Sequence, residues 1–343
     1  MAPKIHRERA MFDLPTIWAA LICIALLSYV VLDGFDLGVG ILFPLGRNKE
    51  ERDVMMNTVA PVWDGNETWL VLGGGGLFAA FPLAYSILLT AFYAPVIGML
   101  LALILRGVAF EFRFRTERGR KFWDWAFIGG STAAAFFQGV MVGAFVQGVA
   151  VENGAYAGGW FDWLTPFSLL CGLGLVAGYA LLGASWLVIK TEQDLQSRMR
   201  KLQLPLGAAV IMLIGLISFG TVIENEWVRE RWFNLGSYVF LWIIPLATAL
   251  LSGAFFLAVR AKKEVTPFML TLGLFGVSFA GLAASLAPYM IPPAISYREA
   301  ANAEESLSFM LVGALILLPV ILGYTGYAYW IFRGKVKIGE GYH

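Results

Sequence analysis

The chain has 343 residues, of which 59% are hydrophobic, 15% aromatic and only 14% charged, with a mean hydropathy of +0.71. A soluble domain carries about 25% charged residues, so a water-soluble globule is excluded, and a net charge of +1 makes no case for nucleic acid. At roughly 20 apolar residues per span the chain has room for roughly eight to ten membrane crossings and no separate aqueous domain.

The first ten residues are basic, and the apolar run after them is too long for a signal peptide and lacks a small-residue cleavage site. Apolar segments then follow at 16–43, 58–81, 83–110, 125–149, 164–189, 204–222, 235–259, 266–290 and 306–332. Each is long enough to cross about 30 Å at about 1.5 Å per residue. The expected fold is therefore an all-α integral membrane protein, one polytopic domain over residues 1–343. A β-barrel would need alternating strands of about ten residues, and these runs are longer. Glycine is abundant, 38 residues, as close helix packing in lipid favours. The second segment is the most polar, because Asp64, Asn66, Glu67 and the glycines at 73–76 dilute it.

Most of the 25 Lys and Arg lie in the loops around 46–57, 111–124, 190–203, 260–265 and 333–343. The positive-inside rule makes these cytoplasmic, with the N-terminus outside and the C-terminus inside. Lys4, Arg7, Arg9, Arg229, Arg231 and Arg298 fall on the other side. The same count is met by eight spans if 58–81 is re-entrant, since the N-terminal tail and the 46–57 loop carry equal charge. Trp160, Trp163, Trp227 and Trp232 mark external span ends, and Trp123 and Trp125 an internal one. The polar connectors 111–121 and 190–201 read as short solvated loops or helix extensions. Glu224 and Glu226 read as solvated caps of an external helix end, and Glu152 and Asp162 as external loop residues.

Cofactor ligands are scarce. His6 and His343 are the only histidines, at the two ends, so no imidazole is available within the spans for haem, copper or zinc. Cys23 and Cys171 lie in apolar runs and read as small buried hydrophobes. No phosphate-binding loop, dinucleotide fingerprint or nucleophile elbow occurs.

Four charges interrupt the apolar spans: Asp33, Asp36, Asp64 and Arg106. An aspartate at a helix centre costs about 2.5–3.5 kcal/mol, so three central and unpaired would cost on the order of 8–10 kcal/mol. Asp33 and Asp36 are spaced i, i+3 on one helix face, and Gly34, Gly38 and Gly40 leave room for a neighbouring helix. With the orientation above, all four charges face one internal vestibule. They read either as an arginine–carboxylate clamp across three helices or as a path for protons or ions.

The segment Leu32-Asp33-Gly34-Phe35-Asp36-Leu37-Gly38-Val39-Gly40 is followed by Pro61-Val62-Trp63-Asp64-Gly65-Asn66-Glu67-Thr68-Trp69 and a glycine-rich stretch to Pro82. Together they resemble subunit II of the cytochrome bd-type quinol oxidases, including their cyanide-insensitive relatives. Arg106 before an aromatic-acidic stretch, residues 138–148 and residues 178–192 extend the resemblance over nearly the whole chain.

That resemblance implies nine transmembrane helices, as two four-helix bundles plus a peripheral helix, in a bacterial cytoplasmic membrane. It implies a heterodimer with subunit I, which carries two b-type haems, one d-type haem and the quinol site, with quinol and dioxygen as substrates of the complex. No cofactor is expected in this chain, although some members hold a structural quinone here, and a small single-helix accessory subunit accompanies some complexes. Asp36 and Asp64 correspond to a proton route from the cytoplasm, with Asp33 beside them. Arg106 matches an arginine near the subunit interface, and Glu67 stands where some members carry glutamine. Two other readings of the same acids are an ion-coupled secondary transporter and a purely scaffolding subunit. For nine spans, the Pro3→Cys variant should react with an impermeant maleimide added to intact spheroplasts. Protection there until the membrane is opened would favour eight.

Overall fold

Proline and clustered polar residues decide where the long helices of this chain begin and stop. The computed structural model describes residues 13–234 and 239–339. The tail bearing Lys4, His6, Arg7 and Arg9, and His343 at the other end, lie outside the described residues. Asp13 caps α1 (Leu14–Leu42): its carboxylate accepts from the Thr16 amide at 3.0 Å, and Pro15 occupies the first turn. An Asn48-capped amphipathic helix, α2 (Lys49–Asn57), follows.

Two expected spans are corrected. The run 58–81 is helical only from Trp63, because Pro61 has no N–H for the Asn57 carbonyl and residues 58–62 pass through turns into α3 (Trp63–Ala80). The run 83–110 is two helices, α4 (Pro82–Ala91) and α5 (Tyr93–Arg115). Pro95 cannot donate to the Ala91 carbonyl and its ring crowds it, so the ladder breaks at Phe92.

Helix α6 (Arg120–Gln147) and α7 (Pro166–Lys190) flank a hairpin of β1 (Val151–Glu152) and β2 (Ala155–Tyr156). Its turn residues Asn153 and Gly154 have φ of 51° and 75°, the left-handed pair that a type I′ turn requires. A reciprocal Thr165–Ser168 capping box opens α7. Helix α8 (Gln193–Glu224) begins well before the expected 204, so the polar connector after Lys190 is a helical extension.

Beyond it come α9 (Glu226–Phe233), α10 (Ile243–Arg260) and α11 (Thr266–Leu286). The expected span 235–259 starts partly outside the described residues, and 266–290 ends early where β3 (Tyr289–Ile291) pairs with β4 (Ile295–Ser296). A single turn, α12 (Tyr297–Ala300), precedes α13 (Glu304–Ile331).

Helix α1 is the hub, packed against α3, α6 and α7, while α5 pairs with α6 and α10 with α11. Only Leu307 of α13 is buried, which leaves that helix at the periphery. At the crossing of α1 and α7 the backbones touch. A Cβ on Gly38 would lie 1.9 Å from the Tyr179 carbonyl oxygen, and one on Gly183 would lie 2.3 Å from the Gly38 carbonyl carbon. Cys171 is buried as expected, but Cys23 is exposed. A small apolar thiol at such a position suits lipid.

Eight helices among the described residues are long and apolar enough to cross a membrane. Helix α3 is not among them, because its polar first turns and glycines lower its hydropathy. It nonetheless runs antiparallel to α1: Asn66 reaches Asp36, Gly73 faces Leu26 and Gly76 faces Ile22. At the same end as the start of α1, Arg298 donates to Asp13 at 2.9 Å and the Asn302 amide to the Ala80 carbonyl at 2.9 Å. Burial and the hydrogen bonds from Thr16 and Arg298 act oppositely on Asp13, and the net effect is a carboxyl below its usual range.

Gly38→Ala should cost about 3 kcal/mol, the upper end for overpacking, whereas Gly215→Ala, which meets open space, should be near neutral. Thermal denaturation of the purified protein in detergent distinguishes them, and equal midpoints would contradict the α1–α7 contact.

Candidate functional site

The deepest polar residues gather where α1, α3 and α5 meet. Asp33, Asp36 and Arg106 are each 0% exposed. Arg106 Nη2 lies 2.7 Å from Asp33 Oδ1 and 3.8 Å from Asp36 Oδ2, and Nη1 donates to Glu67 Oε2 at 3.2 Å. The i, i+3 spacing of Asp33 and Asp36 sets both acids toward one guanidinium, as the sequence pattern requires. Trp63 and Phe110 stack on each other at 4.8 Å, and each ring centroid lies 5.7 Å from the guanidinium carbon. Two aromatic faces thus complete the enclosure of a cation withdrawn from water.

Asp64 does not join this cluster. It is exposed in the first turn of α3, one turn before Glu67, whose side chain is 28% exposed. The carboxyls therefore form a graded series: Asp64 on the surface, Glu67 half-buried, and Asp36 and Asp33 enclosed.

Hydrogen bonds extend the cluster through residues that composition and spacing do not single out. Asn66 Nδ2 donates to Asp36 Oδ2 at 2.7 Å and its Oδ1 accepts from Tyr329 at 2.8 Å, so α13 is joined to the site. One turn along α1 from Asp33, the Tyr29 hydroxyl accepts from Gln138 Nε2 at 2.7 Å, and Gln138 Oε1 accepts from Tyr179 at 2.9 Å. Gln138 and Tyr179 sit in the two segments that extend the family resemblance, yet their pairing is visible only in three dimensions. Asp36 Oδ1 and Arg106 Nε have no hydrogen-bond partner among the described residues, so the site retains polar capacity.

A second buried arginine follows two turns along α5. Arg113, 0% exposed, donates from Nε to Asp124 at 2.6 Å and from Nη1 to Asp53 at 2.5 Å, and lies over Phe43 at 5.1 Å. Arg52 reaches the other Asp124 oxygen at 2.7 Å. The segment 111–121 is thus partly a helix extension whose arginine is enclosed rather than solvated.

Among the described residues no group of three His, Cys, Asp or Glu is placed to hold a metal ion. Outside the spans, Tyr156 is pushed up to about 12 by burial and by its hydrogen bond to Asp162, a contact that pins the loop between β2 and α7.

The family described as "Cytochrome bd terminal oxidase subunit II" matches residues 14–332. "Cytochrome bd-I ubiquinol oxidase subunit 2" of Escherichia coli K12 is 33% identical, over 93% of this chain and 94% of that protein. "Cytochrome bd ubiquinol oxidase subunit 2" of Bacillus subtilis is 30% identical, over 96% and 99%. The fold is similar to a chain of the bd oxidase from Geobacillus thermodenitrificans, with a TM-score of 0.73 at 16% identity, covering 94% of this chain and 99% of that one.

Removing one partner of a buried ion pair leaves the other uncompensated, so Arg106→Gln should cost about 3–5 kcal/mol. Adding Asp33→Asn should recover part of that loss. Strictly additive losses in the double-mutant cycle would show that the two side chains are not coupled.

Proposed function

Because the chain belongs to the family of cytochrome bd terminal oxidase subunit II, we propose that it is the haem-free subunit of a complex that oxidises quinol and reduces dioxygen to water. In this reading a partner, subunit I, holds the haems and the catalytic centre. This chain stabilises that partner and brings it protons from the cytoplasm. The observation that carries the proposal is the graded series from exposed Asp64 through Glu67 to enclosed Asp36 around a single buried arginine.

The chemistry follows from the medium. Reduction of dioxygen consumes protons, and a hydrocarbon layer has no water to deliver them. Asp64, exposed in the first turn of α3, collects a proton at the surface. Glu67 passes it inward. Three enclosed or half-enclosed carboxyls share one guanidinium, so full ionisation would strand negative charge in lipid. A proton shared among them relieves that, and it can leave toward the partner when another enters. Asn66 and Tyr329 orient Asp36, while Asp33, closest to Arg106, acts as its standing counter-charge.

We place α3 as a ninth crossing, on its antiparallel run beside α1, with the basic loops in the cytoplasm. The chain is then a single polytopic domain in the cytoplasmic membrane, built as two four-helix bundles with α13 peripheral. An ion-coupled transporter would be stable alone and bind solute, whereas this subunit should copurify with a haem-bearing chain.

Asp64→Asn and Asp36→Asn keep shape but cannot ionise. Each should assemble with the full haem spectrum and slow quinol oxidation at least about tenfold, the factor that about 1.4 kcal/mol on a barrier produces. Asp33→Asn should be slowed less. If both relay variants assemble and turn over at the wild-type rate, the route is wrong and a scaffolding role remains.

A further inference from the structure

Lys190 ends α7 beneath the turn to α8 and is only 5% exposed. Its ammonium donates to the carbonyls of Phe332 and Gly334 and lies 4.9 Å from the centroid of the Trp186 ring. Carbonyl dipoles and a ring face attract a cation, but none carries a formal negative charge. An ammonium has three N–H groups, and the two carbonyls leave one unused. A buried cation without an anion is costly, so the missing counter-charge needs an explanation.

The nearby acid is already committed. Glu264 pairs with Lys335 at 3.0 Å and with Arg200 at 3.7 Å, and accepts from Gln196 at 2.9 Å. The Lys335 hydrogen bond is the main reason its carboxyl lies below the usual range, with Gln196 adding to that and burial opposing it. No carboxylate among the described residues lies within ion-pair distance of Lys190.

Beside the ammonium lies a cavity of about 280 Å³. Its lining is polar at Thr58, Lys190 and Lys335 and apolar at Trp186, Ile331 and Val336. Ile331 is itself exposed on the flank of the bundle, so the apolar lining continues toward lipid. The site lies where α7 and α13 both end, which is headgroup level for spans of this length. Basic pockets between helices at that level take anionic headgroups.

We propose that this cavity binds a phosphate group, that of an anionic phospholipid or free phosphate, with Lys190 supplying the matching charge. The apolar lining suits a glycerol and acyl stem above the phosphate. Occupancy would join the α7–α8 turn to the segment after α13, which already meets it through the Val336 amide and Lys190 carbonyl at 2.8 Å. The inference needs only that the chain spans a membrane, and holds whether or not the proton route does.

Native mass spectrometry of the purified, assembled complex tests it, with dioleoylphosphatidylglycerol, dioleoylphosphatidylcholine and inorganic phosphate as probes. The wild-type complex should retain phosphatidylglycerol in preference to phosphatidylcholine. Lys190→Gln should weaken that retention at least about fivefold, the effect of one basic residue at a lipid surface. Lys190→Arg should preserve it, and Lys335→Gln should weaken it less, since Glu264 already matches that charge. Displacement of the lipid by inorganic phosphate would assign the site to phosphate alone, and resistance to phosphate would assign it to the phospholipid. Equal retention of both lipids by the wild type, with no inorganic phosphate retained, would overturn the proposal even if Lys190→Gln fails to assemble. Unchanged affinity in an assembled Lys190→Gln complex would overturn it as well.

Discussion

A guanidinium placed in hydrocarbon cannot lose its charge and cannot reach water, so its surroundings must be built to match it. Arg106 imposes that requirement on α5, and the neighbouring helices meet it together. Helix α1 brings Asp33 and Asp36, and α3 brings Glu67 and the Trp63 face. The register of three helices is then fixed at one level of the bundle, because sliding any of them would strand a charge. The glycines serve the same end. With Gly38 against the backbone of α7, α1 sits deep enough for both aspartates to be fully enclosed.

Arg113 repeats the arrangement two turns further along the same face of α5. Its acids come from α2 and α6, through Asp53 and Asp124, and Arg52 shares the second of these. Helix α5 thus carries two buried arginines in line, each neutralised by different neighbours. The difference lies in balance. Lys49, Arg52 and Arg113 face Asp53 and Asp124, a surplus of base, whereas Arg106 alone faces Asp33, Asp36 and Glu67, a surplus of acid.

Residue type made much of this legible and geometry supplied the rest. The apolar runs locate the helices because lipid leaves the backbone no other partner than itself. Hydropathy is blind to the missing N–H of Pro61, which delays the start of α3, and of Pro95, which divides α4 from α5. Asp33, Asp36 and Arg106 stand out as charges in apolar sequence, and the structure brings them together. Asp64 stands out equally but lies on the surface, since its position at the start of α3 turns it away from Arg106. Asn66, Tyr29, Gln138, Tyr179 and Tyr329 were not legible as a network. Polar side chains of modest hydropathy are common in membrane helices, and only the fold shows which of them meet. Nothing in the sequence marks Arg113 as enclosed, because it follows the last apolar residues of its span and its partners are remote in sequence.

The surplus of acid over base at Arg106 separates the two readings of the site. A clamp that pins helices needs enough negative charge to match its arginine, and Asp33 at 2.7 Å is sufficient. Further carboxyls add desolvation cost and like-charge repulsion, and of the two only Glu67 bonds the cation, accepting from Nη1 at 3.2 Å. Asp36 is 3.8 Å from the guanidinium, too far for a direct hydrogen bond, and its main contact is the amide of Asn66. An amide can donate to a carboxylate and can equally accept from a carboxylic acid after a flip of its ends, so it holds Asp36 in place in either protonation state. A structural carboxylate uses only the donor of such a neighbour, whereas an acid that gains and loses a proton uses both ends. At Arg113 each carboxylate meets at least one cation of its own, as a clamp requires, and the surplus of acid at Arg106 is what supports the proposed proton exchange over packing alone.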